Sequence, residues 1–232
     1  MMIRSRFAKK RRLRYISHLE LLDTFRRAVR RAKIPGKYSE GYNPTLNLSL
    51  SQPLPVGMPG GGEYLDLELK ESVSGEKFVI ELNKNLPAGI KMDEARMVGD
   101  KNLKSLQALV DRARYIIEPP ENKDDEYRII LDKLKNSCEL IVTRERRNKD
   151  DRQYNIREMI HEIDLTEDNR WSFLVSTGSR GNVRPQEIVQ ALRKFKPGLP
   201  VIPITNFYRE GMYVSYEDRI ITPLSEEILK ER

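Results

Sequence analysis

The chain reads as an α+β protein made of two successive β-α-β-β-α-β series. Two observations carry this reading. Short segments that alternate apolar and polar residues, the mark of a half-buried strand, are interleaved with longer stretches of apolar residues at helical spacing. The breaks fall at Pro- and Gly-rich turns, and the same order of elements occurs twice within 232 residues.

In the first series, Ile3 to Ala8 alternates and predicts a strand, Lys9 to Arg12 is a basic turn, and Leu13 to Ile16 adds a short strand. Ser17-His18-Leu19-Glu20 is a capping box, in which the serine oxygen accepts from the backbone three residues on and the glutamate reaches back. It opens a helix over 18–33. Leu21, Leu22, Phe25, Ala28, Val29 and Ala32 form the apolar stripe of this helix, and arginines fill most of the remaining circumference. Ile34-Pro35-Gly36 stops it. Leu46 to Leu50 and Glu63 to Lys70 alternate as strands, joined by the loop Gln52 to Gly62, which reads as a long hairpin connection. Gly75 to Asn85 is a helix and Ile90 to Val98 a strand.

The second series predicts a strand over Arg114 to Glu118, a helix over Asp124 to Leu134 and a strand over Glu139 to Thr143. A polar turn, Arg144 to Asp151, and the irregular segment Gln153 to Asp164 follow. Trp171 to Ser176 is a strand. Pro185 to Phe195 is a helix with proline in its first turn, and Ile202 to Tyr208 and Met212 to Tyr216 close the sheet. This order predicts two ferredoxin-like halves in tandem, each an antiparallel sheet with helices on one face. Residues 1–98 form the N-terminal unit with the basic helix, 99–112 a linker with a short helix from Leu103 to Val110, and 113–232 the C-terminal unit. The tail from Leu224 to Arg232 ends it as a frayed helix.

Charge is distributed unevenly. The net is +7, yet residues 1–44 hold thirteen basic and three acidic side chains, a net of +10, leaving −3 for the rest. Focused positive potential attracts phosphates or acidic surfaces. The expected polyanion-binding set is Lys9, Arg11, Arg12, Arg14, Arg26, Arg27, Arg30 and Lys37. Tyr42 and Asn43 are expected to contact a base or sugar, and Tyr15 and Tyr38 lie near enough in sequence to add stacking platforms. The alternatives are an acidic protein partner and a plainly solvated helix face. A second anion loop is expected at Ser179, Arg180 and Arg184, where small residues and arginines precede a helix start; a strand-to-helix turn is its alternative.

Other chemistries are excluded or left open. One cysteine, Cys138, rules out an internal disulfide and a four-thiolate cluster. Its place before Leu140-Ile141-Val142 reads as a buried thiol. Two histidines, His18 and His161, show no metal-ligand spacing, so no metal and no cofactor are expected. His18, at the first helical position, is the candidate general base, with a structural role as its alternative. No apolar run is long enough to span a bilayer, and the N-terminus lacks the apolar core of a secretory signal. The expected location is the cytoplasm.

Three blocks carry a family resemblance: Tyr15 to Leu22, Phe25 to Ala32 and Tyr38 to Pro44. It continues through Leu48 to Pro55, Glu63 to Asp66 and Ser105 to Leu109. The chain resembles the bacterial radical SAM-linked proteins, a domain found beside or fused to radical S-adenosylmethionine enzymes. Where that pattern has Asp-Ile-Arg-Pro, this chain has Asn155-Ile156-Arg157-Glu158. The resemblance implies a non-catalytic companion of a radical SAM enzyme encoded nearby. Together with the basic N-terminal face, the expectation is a binding module that delivers an RNA, transfer or ribosomal, to that enzyme. A tandem ferredoxin-like layout is also similar to the repeat-processing RNA endonucleases of CRISPR systems, which implies a metal-independent RNA-processing enzyme using His18. The remaining alternative is a protein-interaction subunit docking an acidic partner.

Overall fold

The computed structural model describes residues 1–99, 104–120, 124–146, 149–179 and 181–229. The first ninety-eight residues form β1 (Met2–Lys9), α1 (His18–Arg31), β2 (Leu48–Leu50), β3 (Gly60–Glu68), α2 (Gly75–Asn83) and β4 (Ile90–Val98). Alternation along β1 does two jobs. Ile3 and Phe7 enter a core shared with α1 and α2, where Phe7 meets Phe25 edge-on at 4.8 Å between ring centroids. Arg4, on the opposite face, is fully buried and forks onto Asp66 of β3 at 2.8 and 2.9 Å. β1 lies between β3 and β4, and β2 adds to the other edge of β3. The order is therefore β4-β1-β3-β2, antiparallel throughout.

The following residues form α3 (Leu106–Leu109), β5 (Arg112–Ile117), α4 (Asp124–Lys135), β6 (Ile141–Arg146), β7 (Lys149–Asn155), β8 (Ile160–Leu165) and β9 (Trp171–Ser176). After these come α5 (Pro185–Phe195), β10 (Phe207–Tyr216), β11 (Arg219–Ile221) and α6 (Glu226–Leu229). Strands β10-β5-β9-β8 are antiparallel neighbours in that order. Ala113, Tyr115 and Ile117 of β5 pack with Trp171 and Phe173 of β9 against α4 and α5. The β6–β7 hairpin stands apart from this sheet, pinned to α5 by the Arg144–Glu187 ion pair and by Gln190 bonded to both backbone groups of Thr143.

The two sets of strands are not separate sheets. β3 and β10 run parallel and meet where Gly60 faces Arg209. Contact this close needs glycine: a Cβ on Gly62 would sit 2.8 Å from the Gly211 Cα. The short β2 covers only residues 65–67 of that edge of β3, which leaves its start open to β10. The outcome is a mixed α+β architecture with one large, mostly antiparallel nine-stranded sheet and, among the described residues, six α-helices.

Several expectations change. Arg11–Tyr15 is a 3-10 turn rather than turn plus strand, because Leu13 and Ile16 pack onto the core while their neighbours turn outward. The polar stretch from Arg144 is the β6–β7 hairpin, since cross-strand pairing outweighs its hydrophilic composition. The two closing strands are one, β10, bent by a bulge between Arg209 and Gly211. Cys138 is exposed; the buried residues of its segment are Leu140 and Val142. Leu103 and residues 230–232 lie outside the described residues, and helix is seen at Leu106–Leu109 and Glu226–Leu229.

Candidate functional site

α1 is built as its sequence dictates. The Ser17 side chain accepts from Glu20 N, and Glu20 Oε2 accepts from Ser17 N at 2.7 Å, completing the capping box. Leu21, Phe25, Ala28 and Val29 are buried, so Arg27, Arg30 and Arg31 face solvent. Arg11 and Arg12 are exposed on the 3-10 turn before it. Arg14 lies over the Tyr15 ring at 4.9 Å and donates to its hydroxyl at 2.8 Å. Arg11, Arg12 and Arg30 have no ion-pair partner among the described residues. Arg26 is paired with Asp23 at 2.9 Å, and Arg27 donates to the Thr24 hydroxyl at 3.5 Å. The arginines of α1 occupy its last six residues, about 8 Å at 1.5 Å per residue, and Arg11, Arg12 and Arg14 precede its first turn.

The predicted set divides along the sheet. The 3-10 turn sits where β1 ends and β3 begins, since Lys10 N donates to Gly89 O and Gly57 N to Arg14 O. Lys37 lies at the far end of β3, ion-paired to Glu68 at 3.2 Å. Tyr42 and Asn43 belong to that far end too, on a loop closed by Ser39 and Thr45, and Tyr42 is 100% exposed. Lys9 leaves the set. Its residue is 1% exposed, and its ammonium donates to Ile16 O at 2.7 Å. Its parity with Ile3 and Phe7 already puts it on the inward face of β1.

Beneath the turn the structure assembles a buried polar group that no motif announced. Arg209 of β10, 1% exposed, forks onto Glu63 of β3, with Nε to Oε1 at 2.8 Å, and its Nη2 donates to Gln52 O at 2.8 Å. Tyr115 stands opposite Arg209 on β5. Lys9, His18, Gln52 and Glu63 line a cavity of about 10 Å3, room for one water-sized sphere. Burial, opposed by Glu63 and reinforced by Arg209, pushes the Lys9 ammonium below the usual lysine range. Burial and then the Lys9 charge push the His18 imidazole below the usual histidine range. Glu63 had a signal in sequence, because it shares the inward parity of Leu65 and Leu67. Arg209 had none, since it looked like the gap between two strands.

The loop Gln52 to Gly62 is the seam of the molecule rather than a plain hairpin connection. Gln52 Nε2 donates to Gln107 O and Val110 O, both at 3.1 Å, and Arg209 N donates to Pro59 O. On its outer side opens a cleft of about 290 Å3 whose wall includes Gln52, Pro53, Pro55, Tyr115, Thr177, Asn182, Arg184 and Arg209. The expected anion loop thus contributes Arg184, exposed at the start of α5, to the cleft. Ser179 is exposed, and Arg180 lies outside the described residues. His161 Nε2 is hydrogen-bonded to the Ser176 hydroxyl at 2.8 Å.

No cluster of three His, Cys, Asp or Glu among the described residues is arranged to hold a metal ion, and no helix there is long and apolar enough to cross a membrane. Fold and site together define an α+β protein with an arginine track beside a cleft at the seam of its sheet. The chain belongs to the family described as an uncharacterized protein conserved in bacteria (DUF2344), which matches residues 2–185. That span includes the track, the seam loop and the cleft wall as far as Pro185, and stops short of Arg209. A comparison with curated proteins finds no match.

Proposed function

We propose that this is an RNA-binding accessory protein that works in the cytoplasm beside a radical SAM enzyme. The observation that carries the RNA part is the set of exposed arginines at the two ends of α1: Arg11 and Arg12 before it, beside the Arg14–Tyr15 stack, and Arg30 in its last turn, all three without ion-pair partners among the described residues. Phosphates reward such a surface through counterion release, and an exposed aromatic ring accepts a base without sequence preference. The radical SAM partner rests on the resemblance in Tyr15 to Leu22 and Tyr38 to Pro44. Each half is read as a ferredoxin-like unit, supported by the orders β4-β1-β3-β2 and β10-β5-β9-β8, with the β6–β7 hairpin inserted in the second.

The test is fluorescence anisotropy with single-stranded and hairpin RNAs. Five phosphate contacts to a single strand predict a loss of roughly a hundredfold in affinity between about 50 and 200 mM salt. Arg12→Glu combined with Arg30→Glu should abolish most of the binding. No affinity at low salt would end the RNA reading. Co-purification with an acidic protein that survives nuclease treatment would assign the track to that protein instead.

A further inference from the structure

We infer that the cleft at the seam is a pocket for a single nucleotide, the one that RNA held on the arginine track turns outward. The inference rests on the RNA reading above and concerns a different surface. At about 290 Å3 the cleft sits at the lower end of the roughly 300–1,000 Å3 span of small-molecule sites. It suits one nucleotide and excludes a helix or a folded strand.

Its walls match that chemistry part by part. Pro53 and Pro55 present apolar surface to a flat ring. Gln52 is part of the wall only: its Oε1 is sealed from solvent and its Nε2 is committed to two backbone carbonyls. Asn182 is exposed, and its Oδ1 is engaged by the Thr177 hydroxyl at 3.3 Å, leaving the amide nitrogen to donate. A free amide donor is what an acceptor on the edge of an unpaired base requires. Arg184 at the mouth has no ion-pair partner among the described residues and is placed for the phosphate. Behind the wall, Arg209 is paired with Glu63, and Lys9 lies within reach of both and of Glu20. The cation that the cleft itself offers an anion is Arg184.

Continuity with the track is built into the chain. Pro55 lines the cleft, and Gly57 N bonds the Arg14 carbonyl at 2.9 Å. One residue, Val56, separates them, a span of at most about 7 Å. A strand lying on Arg12 and Arg14 can therefore pass one base into the cleft, and a single-stranded nucleotide is the least costly to unstack.

The experiment titrates the full chain with the four nucleoside 5′-monophosphates and with inorganic phosphate, followed by calorimetry and NMR, alongside anisotropy with single-stranded RNA. At least one monophosphate should bind about tenfold more tightly than phosphate, and Arg184→Ala and Asn182→Ala should each weaken it about tenfold. Arg12→Glu with Arg30→Glu should leave that affinity unchanged while removing RNA binding. Monophosphates binding no better than phosphate, or binding insensitive to both cleft variants, would overturn the inference. RNA binding lost with intact mononucleotide binding in the wild-type chain would sink the RNA reading and leave the pocket; the reverse pattern would sink the pocket and leave the track.

Discussion

Arg209 and Glu63 meet from strands far apart in sequence, both sealed from solvent. Removing one member of a buried pair strands the other charge, at a cost of about 3–5 kcal/mol. Arg209→Leu should therefore lower the urea-unfolding free energy by about that amount, and adding Glu63→Leu should recover more than half of it, because an apolar pair carries no desolvation cost. Equal stability of Arg209→Leu and the double variant would contradict the pairing. His18 gives a pH dependence whose sign is fixed. Its folded pKa is lowered from 6.5 by burial and by Lys9. As pH falls below 6.5 the unfolded chain takes up protons first, so stability drops toward the lowered folded pKa. His18→Gln should flatten the fall in urea midpoint between about pH 7 and 5, and an unchanged slope would clear His18 of responsibility.

At the scale of elements, α1 is specified locally and the β6–β7 hairpin is not. Ser17→Ala deletes the cap of α1 and should cost about 1 kcal/mol, read as a lower midpoint with an unchanged m-value. The hairpin depends on Arg144, whose guanidinium holds Glu187 and the Asn182 carbonyl while lying over Tyr154 at 4.7 Å. Arg144→Met should raise amide exchange within residues 141–155 and at the start of α5, leaving exchange in β1 and β3 unaltered. The same scale shows what could be read in advance. β4, β9 and α5 fall where their patterns put them: β4 and α5 each bury one face, and β9 is a short apolar run buried on both. The hairpin escaped because its polar residues are stabilised by cross-strand pairing and by contacts with α5, neither of which leaves a hydrophobic period.

For the whole molecule, the parallel contact of β3 with β10 makes the two halves share a sheet, and the seam loop ties α3, β10 and the turn before α1 together. The chain should unfold in one transition. Trp171, the single tryptophan, lies in the second half, so its fluorescence and the far-UV circular dichroism of both halves should give coincident urea curves. Fluorescence leading or trailing the dichroism would mean that the halves unfold independently.

The sequence by itself determined the α+β class, the capped helix with its outward arginines, and the concentration of positive charge before residue 45. Each is a local property: periodicity fixes which face of an element is buried, and the arginines of α1 fall on its other face. Only the tertiary structure decided that Lys9 turns inward, that Lys37, Tyr42 and Asn43 stand at the far end of the sheet from Arg11, Arg12 and Arg14, and that Arg184 shares a cleft with Gln52. It also decided the seam itself. Glu63 and Arg209 are 146 residues apart, and two strands meet there only because glycines let their backbones close. No window of neighbouring residues holds that information, since the pairing is between distant segments and its reward appears only once both are in place.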